Sequence, residues 1–541
     1  MQSYSDVAKL GLANFWIAFL TFTLAALLGL YQVLERAGMI PQFESVELYF
    51  GSVSAHGVIM GFVLTTFFIM GFGYWAAGTS LKMPVWNKGL AWFGFLLSLT
   101  GTVMAAAMLF TGQASVLYTF YPPLKASPVF YIGATLLVVG SWIWVLEMVM
   151  MMHRWKQAHP GEPVPLIMFG TTANALLWFF TSLGVASEVL FQLIPWSLGW
   201  IETIDVGLAR TLFSWTLHAI VYFWLIPAYL AMYTLLPKLA GGKLFSDEMA
   251  RISFIMLLVF SVPIGFHHLY VDPMQADGWK FLHMIGTFMV AVPTLFTGFT
   301  VIASMEVAGR MRGGKGLFGW IKTINWDDPL VLAGGLALLM LTIGGWGGLV
   351  NASYSMDVMV HNTQWITGHF HLIFAGTTVI MYFALAYHIW PKMTGRPLMS
   401  KGLAKLQLWL WFIGMLVLTL PWHIMGLLGQ PRRISVAPYG NEVAKSWIPY
   451  EIAMVVGGAI LAVSALMVLI ILLGTHLRRA TVEDREMAYA EPVEPVLRLP
   501  ALLNGFGFWA AVIVVYLIAS YGYPILQFFL MDTHGAFPWS I

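Results

Sequence analysis

The chain has 541 residues, of which 59% are hydrophobic and only 10% charged, with a mean hydropathy of +0.79. A soluble domain carries about a quarter charged residues, so this composition excludes a soluble globular protein and indicates an integral membrane protein. The net charge of +2 gives no reason to expect a nucleic-acid partner. The absence of cysteine excludes disulfides, iron–sulfur clusters, zinc–thiolate sites, covalently attached c-type haem and thiolate-bridged copper within this chain.

Long apolar runs recur along the whole chain, each near the ~20 residues that a helix needs to cross a hydrocarbon core of ~30 Å. Helices are favoured over a β-barrel because the runs are continuous rather than alternating, and each segment must satisfy its own backbone hydrogen bonds in lipid. The predicted spans are 12–34, 54–76, 88–111, 128–152, 166–193, 206–236, 250–271, 279–306, 329–350, 362–391, 403–427, 449–474 and 504–530. The sequence therefore predicts an all-α membrane protein of about thirteen spans, organised as one domain over residues 1–541.

The positions of lysine and arginine predict the orientation of these spans. With the N-terminus in the cytoplasm, only seven of the 27 basic residues fall in outer segments, and the other twenty fall inside. The seven are Arg36, Lys125, Arg210, Lys280, Arg432, Arg433 and Lys445. Because cytoplasmic segments carry the excess of basic residues, we expect a cytoplasmic N-terminus and an outer C-terminus.

Histidines inside predicted spans are candidate functional residues, since polar side chains are costly in a membrane. The first is His56 in SVSAHGVIMG, where Gly57 would let a flat macrocycle approach the backbone. The second is His218 in WTLHAIVYFWLIPAY, which shares a helix face with Tyr222 four residues later. Alone, the first could be a structural histidine and the second an ordinary packing pair.

Two further pairs of histidines are adjacent or nearly adjacent in the sequence. His267 and His268 in SVPIGFHHLY would diverge by ~100° on an ideal helix, but Pro263 and Gly265 could loosen it so that both face one metal. His369 and His371 in WITGHFHLIF lie ~200° apart and would serve two centres on opposite flanks of one helix. Helix capping and hydrogen bonds to neighbouring helices are the structural alternatives.

Together, the histidines fit a set of three metal centres. The copper-favouring imidazoles would be His218, His267 and His268. His56 and His371 could clamp one haem iron from both sides, and His369 could hold a second on one side only, leaving the other open for a gas ligand.

This constellation resembles the haem–copper oxidase superfamily, and within it the B family of cytochrome c oxidases, similar to the thermophile enzymes with a b-type low-spin haem. The resemblance covers nearly the whole chain, in the order VLYTFYPPLK, HAIVYFWLIPAY, PIGFHH, VNASY, HNTQWITGHFHL and PRR. It implies a terminal oxidase subunit I that reduces O2 to water and translocates protons in the inner membrane of a bacterium.

The resemblance also assigns roles. His56 and His371 would bind the low-spin haem of b type, His369 the high-spin haem of a type, and His218, His267 and His268 one copper ion, with Tyr222 as the active-site tyrosine. A proton path would pass Tyr233, Thr300, Tyr229, Thr297 and Thr294. Asn351, Asp357, His361, Arg432 and Arg433 would surround the haem propionates. The implied partners are membrane lipid, a subunit II carrying a two-copper centre, cytochrome c as donor and a small single-span subunit.

The chain departs from the family near its copper ligand. Ala219 replaces a proline common after that histidine, and Ile220 stands where the A family has a glutamate, which favours a single proton path. Leu217 is bulkier than the glycine of a close relative, so oxygen access could be narrower.

Two other functions fit parts of the pattern. A nitric oxide reductase of the same superfamily would lack Tyr222 and have glutamates at its iron site, for which the nearest membrane candidate is Glu188. A haem-free secondary transporter would need discontinuous helices around a midplane site. His283 lies inside a span, and the sequence assigns it no role.

Overall fold

The structure, a computed structural model, describes residues 2–40, 46–435 and 442–530. The predicted outer C-terminus lies outside these residues. The described chain is 77% helical and contains no strands within those ranges. The long helices are α1 Gln2–Arg36, α2 Val46–Leu81, α3 Lys88–Phe110, α4 Pro128–Ala158, α5 Leu166–Ser197, α6 Val206–Thr234, α7 Asp247–Phe260, α8 Asp277–Met311, α9 Pro329–Ala352, α10 Gln364–Thr394, α11 Lys401–Leu427, α12 Ile448–His476 and α13 Gly507–Leu530.

All of these helices except α7 belong to the twelve stretches of the described chain that are long and apolar enough to cross a membrane. They coincide with twelve of the thirteen predicted spans, and the chain is a multi-pass membrane protein of helices. Shorter helices connect or flank them, at Leu236–Ala240, Tyr354–Val360, Glu442–Lys445 and the 3₁₀ turns Gly265–Leu269, Gly319–Thr323 and Ala501–Leu503. The orientation of the bundle stays a prediction.

The seventh predicted span, 250–271, differs from a continuous helix. Helix α7 ends at Phe260, and after a bend the chain continues in the 3₁₀ turn Gly265–Leu269. Pro263 explains the break, because proline has no N–H to donate and disfavours helical geometry in the residue before it. The loosening expected from Pro263 and Gly265 is therefore present, as a break that leaves His267 and His268 on the 3₁₀ turn.

Other helices also lose regular geometry where candidate ligands lie. His218 interrupts α6 between the segments Val206–Leu217 and Ala219–Thr234. In α10 a π-helical segment, Leu372–Val379, begins directly after His371. Departures of this kind are frequent at functional sites.

Hydrogen bonds of the residues just before α13 connect this last helix to the rest of the bundle. Asn504, three residues before α13, accepts a hydrogen bond from the Val164 amide at its side-chain oxygen (2.8 Å). The Lys156 ammonium donates to the Asn504 carbonyl (2.7 Å). These contacts tie α13 to the connection between α4 and α5.

Helices α3 and α4 pack closely through glycines. A Cβ at Gly101 would lie 2.3 Å from the Gly133 carbonyl oxygen, and one at Gly133 would lie 2.6 Å from the Gly101 carbonyl oxygen. Small residues at such a crossing allow the van der Waals contact that holds helices together in lipid.

We therefore predict that Gly101→Leu destabilises the protein in detergent by about 1–3 kcal/mol, the usual cost of overpacking. Thermal unfolding followed by tryptophan fluorescence measures this. Gly298→Leu on α8 is the control, because a Cβ there has no neighbour within 4 Å. Equal melting temperatures for the two variants would contradict the close packing of α3 on α4.

Candidate functional site

All six candidate histidines line one cavity of about 320 Å³ inside the bundle. His56 comes from α2, His218 from the break in α6, and His267 and His268 from the 3₁₀ turn after α7, while His369 and His371 come from the first two turns of α10. The lining extends to the propionate candidates Asn351, Asp357, His361, Arg432 and Arg433. The fold thus gathers the ligand and propionate candidates around one space.

The three histidines assigned to copper form a compact cluster. Each of His218, His267 and His268 offers one ligand atom within 4.8 Å of the others, an arrangement that could hold a metal ion. The His267 ring centre lies 4.3 Å from that of His218 and 4.2 Å from that of His268. The Nε2 of His268 is buried and has no hydrogen-bond partner among the described residues. Because an unsatisfied buried nitrogen is costly, this atom fits the role of a metal ligand.

Tyr222 adjoins this cluster through His218. Its hydroxyl lies 3.0 Å from Nε2 of His218, one helical turn away. The i, i+4 spacing predicted this proximity, even though His218 itself interrupts the helix.

His56 and His371 face each other across part of the cavity. Their ring centres are 6.2 Å apart and their planes differ by 21°. Nδ1 of His56 is 2.8 Å from the Ala25 carbonyl oxygen, and Nδ1 of His371 is 2.8 Å from that of Thr367. Each Nε2 is thereby left to face the other ring.

This separation fits one iron between two imidazoles. With about 2 Å from metal to imidazole nitrogen and roughly 1.2 Å from nitrogen to ring centre, two ligating rings would have centres about 6.4 Å apart. The His56 ring packs against Gly29 on α1, where a Cβ would lie 3.1 Å from the ring. Gly57, expected to admit a macrocycle, also packs on Tyr118, whose Cβ would lie 2.9 Å from a Cβ at this position.

His369 points to a different helix from His371. Its Nδ1 lies 2.9 Å from the Gly344 carbonyl oxygen on α9, and its ring packs against Gly347 and Gly348. No second histidine faces it as His56 faces His371 among the described ring contacts. The two rings of α10 therefore serve different parts of the cavity.

One end of the cavity, predicted to be the outer one, carries polar side chains held by two connecting loops. His361 Nδ1 lies 2.5 Å from a carboxylate oxygen of Asp357, and burial raises the pKa of that carboxyl. Arg432 donates to the backbone and side-chain oxygens of Asn362, both at 2.9 Å. Asn351 Oδ1 is buried without a partner among the described residues.

The adjacent arginines have unused donors. Nε of Arg432 and Nη2 of Arg433 are buried without partners in the described chain. Burial, followed by the neighbouring Arg432 guanidinium, lowers the pKa of Arg433 to about 10. An anion bound here would supply the missing acceptors, since guanidinium–carboxylate pairs are strong.

Two further arginines line the same cavity and had no role in the sequence prediction. Arg210 is paired with Asp272 (2.8 Å) and Arg36 with Glu451 (3.1 Å). Both were among the seven basic residues placed in outer segments, and that position was the only available signal. Tertiary packing brings both to the cavity that Arg432 and Arg433 also line.

Candidate proton-path residues form two facing rows. Tyr222, Tyr229 and Tyr233 lie on α6, and Thr294, Thr297 and Thr300 lie on α8 at three-residue spacing. The Tyr233 hydroxyl donates to Thr297 Oγ1 (2.8 Å), and the Tyr229 hydroxyl donates to Thr294 Oγ1 (3.3 Å). Thr300 is fully buried, with Met249 Sδ at 3.9 Å from its hydroxyl.

The residues that depart from the family surround His218. Leu217 lines the cavity, while Ala219 and Ile220 are buried in the core. Glu188, the nearest membrane glutamate, is buried without a partner for either oxygen among the described residues, and the cavity lining contains no glutamate among the residues described.

This fold and site define a class: a multi-span helical membrane protein built around buried histidines that could hold metal. Residues 9–460 match the family described as cytochrome C and Quinol oxidase polypeptide I. The chain belongs to this family, the subunit I family of the haem–copper oxidases.

Individual relatives agree with this assignment. Cytochrome c oxidase subunit 1 of Thermus thermophilus is 39% identical over 95% of this chain and 93% of its own length. The subunit 1 of Synechocystis sp. is 26% identical over 80% of this chain and 77% of its own. A chain of a solved haem–copper terminal oxidase dimer superposes with a TM-score of 0.92 at 35% identity, covering 96% of this chain and 92% of that one.

Proposed function

We propose that this chain is the catalytic subunit of a bacterial terminal oxidase that reduces O2 to water with electrons from cytochrome c. The observation that carries the proposal is one cavity lined by the cluster of His218, His267 and His268, by His369 and by the facing pair of His56 and His371. The printed names of the similar proteins are cytochrome c oxidase subunit 1.

Each set of histidines would hold one of the three metal cofactors of the family. His218, His267 and His268 would hold copper, His369 a high-spin haem of a type, and His56 with His371 a low-spin haem of b type. When bound, the haems and copper supply the electrons and the open coordination position at which O2 is reduced. Hydrogen bonds at Nδ1 hold His56, His369 and His371 with Nε2 free, as is usual for metal-binding histidines.

Tyr222 would deliver a proton at the catalytic end of the cavity. Its hydroxyl, 3.0 Å from His218 Nε2, is the nearest phenol to the histidine cluster on α6. Asn351, Asp357, His361, Arg432 and Arg433 would bind the haem propionates at the opposite, outer end, where guanidinium donors lack partners in the described chain. The protein would thereby orient both haems by their charged edges and their irons.

Protons would reach Tyr222 along the two facing rows of α6 and α8. Tyr233 and Thr297 form the first bonded pair, Tyr229 and Thr294 the second, and Thr300 extends the row of threonines. Each hydroxyl both donates and accepts, so a bonded pair can pass a proton by rotating. Together with the orientation predicted from basic residues, this route would start in the cytoplasm.

We propose that electrons enter through a partner subunit rather than from quinol bound directly to this chain. The chain has no cysteine and so cannot itself form a thiolate-bridged two-copper centre. We propose a subunit II with that centre between cytochrome c and this chain, together with a small single-span subunit. The complex would lie in the bacterial inner membrane, with residues 1–541 forming one domain.

The lining of the cavity favours oxygen reduction over nitric oxide reduction. Tyr222 adjoins the histidine cluster, and the described lining has no glutamate. A haem-free transporter would have no use for three imidazoles gathered around one point.

Purified complex should contain two haems and one copper in this subunit and consume O2 with reduced cytochrome c. Haem extraction, metal analysis, a reduced-minus-oxidised spectrum and an oxygen electrode measure these properties. A colourless, copper-free protein would refute the proposal, as would turnover of nitric oxide without turnover of O2.

Single-histidine variants should separate the metal groups. His56→Leu should remove one haem and leave copper and the second haem, because its partner ring alone cannot clamp an iron from both sides. His218→Leu should instead deplete copper and leave both haems. Haem-to-copper ratios in the two purified variants test this, and identical losses from both would contradict separate centres.

Tyr233→Phe should slow O2 consumption by about 100-fold, the lower end of what positioned proton-transfer groups contribute. The haem spectrum should not change, because Tyr233 does not line the cavity. Tyr387→Phe is a matched control that also removes a buried tyrosine hydrogen bond, to Gln407, from another helix. Unchanged turnover in Tyr233→Phe would exclude this residue from the proton route.

A further inference from the structure

His283 on α8 is a buried histidine that none of the roles above uses. It is fully buried and stacks on Phe266, with ring centres 3.9 Å apart and planes within 8°. Phe266 immediately precedes His267 in the 3₁₀ turn that carries two of the three copper candidates. His283 therefore lies directly behind the histidine cluster rather than in the cavity, whose lining does not include it.

The hydrogen bonds of His283 assign its protonation. The Phe266 amide donates to Nδ1 at 3.3 Å, and Nε2 lies 3.2 Å from the Ser520 carbonyl oxygen. An amide can only donate and a carbonyl can only accept. The ring is therefore neutral, with its proton on Nε2, and it links the 3₁₀ turn to α13.

The turn needs such a partner because the chain breaks before it. The first N–H groups of a helical segment have no acceptor within it, and an unpaired N–H inside a membrane costs several kcal/mol. Gly265 and Phe266 are the first residues of the 3₁₀ turn. The Gly265 amide donates to the Tyr521 hydroxyl at 3.1 Å, and the Phe266 amide donates to His283. Side chains from α8 and α13 thus satisfy both donors.

The acceptor on α13 also comes from irregular backbone. Ser520 lies in the π-helical segment Ile518–Gly522, and segments of this type disturb the regular bonding of a helix. Neighbouring Tyr521 packs edge-on against Phe266, with ring centres 5.4 Å apart. The π-helical segment therefore provides both the carbonyl for His283 and the hydroxyl for Gly265.

One turn further along α8, Thr287 contacts the metal candidate itself. Its hydroxyl donates to the His283 carbonyl (2.6 Å) and lies 3.1 Å from Nδ1 of His267. Because the single hydroxyl proton is already used, the oxygen must accept from His267 Nδ1–H. His267 is then left with a deprotonated Nε2, the form that binds metal.

The space around the turn allows little adjustment. A Cβ at Gly265 would lie 2.2 Å from the Ser214 carbonyl oxygen, one turn before His218. A Cβ at Gly286 on α8 would lie 2.3 Å from the Pro263 carbonyl oxygen. The turn is packed closely between α6, α8 and α13, so its hydrogen bond to His283 is one of the contacts that set the positions of His267 and His268 relative to His218.

We propose that His283 is a positioning residue for the copper site, which as a neutral imidazole bridges the amide before His267 to the carbonyl of Ser520. This inference rests on the proposed copper role of His218, His267 and His268. It implies that α13 takes part in shaping the metal site, although that helix contributes no ligand to it.

Two variants of His283 test this proposal. His283→Leu removes both hydrogen bonds. In His283→Asn the side-chain oxygen Oδ1 is bonded to Cγ, as Nδ1 is in histidine, so it can still accept a hydrogen bond from the Phe266 amide. His283→Leu should retain copper about 10-fold more weakly, the lower end of the loss seen when a direct partner of a metal ligand is removed, because His283 acts on the ligands through the Phe266 amide; both haems should remain. His283→Asn should retain more copper than His283→Leu. Copper and haem per chain after dialysis against a chelator measure both effects.

A vibrational measurement reads the geometry of the copper that remains. Carbon monoxide released by light from the haem and caught by copper should show a shifted C–O stretch in His283→Asn and in Tyr521→Phe relative to the unaltered complex. His388→Asn is the matched control, since His388 lies on α10 about 28 Å along the helix from His369 at 1.5 Å per residue.

The outcomes separate the possible failures. Full copper retention and an unshifted C–O stretch in the His283 variants would overturn the inference. So would equal loss of haem and copper in both variants, because that pattern indicates general destabilisation rather than positioning. Absence of copper from the unaltered complex would instead refute the proposed function.

Discussion

The site depends on one constraint: each imidazole in the apolar interior needs a partner for both of its ring nitrogens. A ring nitrogen without a partner is costly in an apolar interior, and both nitrogens of each ring must be accounted for. In this chain His56, His369 and His371 each place Nδ1 against a backbone carbonyl, of Ala25, Gly344 and Thr367. The second nitrogen of each ring is then free for the cavity, where a bound metal would supply the partner that it lacks.

Irregular backbone lies near the candidate ligands, and its freed N–H and C=O groups also need partners. A regular helix satisfies all of its backbone groups and presents side chains at fixed angles. His267 and His268 come together on a 3₁₀ turn, and His218 interrupts α6. These interruptions free backbone groups that must be satisfied by other helices, as the Gly265 amide is by Tyr521. Ligand geometry and packing of distant helices are thereby coupled.

The charged side chains of the cavity lining are separated from the six candidate histidines. The histidines lie among apolar helices, whereas Arg36, Arg210, Arg432 and Arg433 lie on segments near the ends of helices. Arg36 and Arg210 are paired with carboxylates, and each of the four arginines keeps a buried donor nitrogen that has no partner among the described residues. The end of the cavity that these arginines line is therefore suited to an anionic group, and the part among the apolar helices to neutral imidazoles.

The sequence by itself determined the class of fold and the identities of the ligand candidates. Continuous apolar runs can cross a lipid core only as helices, and twelve predicted spans coincide with such helices. The spacing of His218 and Tyr222 and the divergence of His369 and His371 follow from local helix geometry, so they could be predicted. The spatial pairing of tyrosines with threonines on α6 and α8 came from the resemblance to a family, because nothing local in the chain relates the two rows.

Only the tertiary structure decided what depends on contacts between distant helices. The break after Phe260 was predicted as a loosening of a helix, but whether His267 and His268 would face one point depended on the helices packed around the turn. Arg36 and Arg210 gave no signal beyond their charge, since their nearness to the cavity arises from helix packing. His283 shows the same limit: its two partners lie 17 residues before it and 237 residues after it, and no local pattern can specify a contact that exists only once α13 has packed against the bundle.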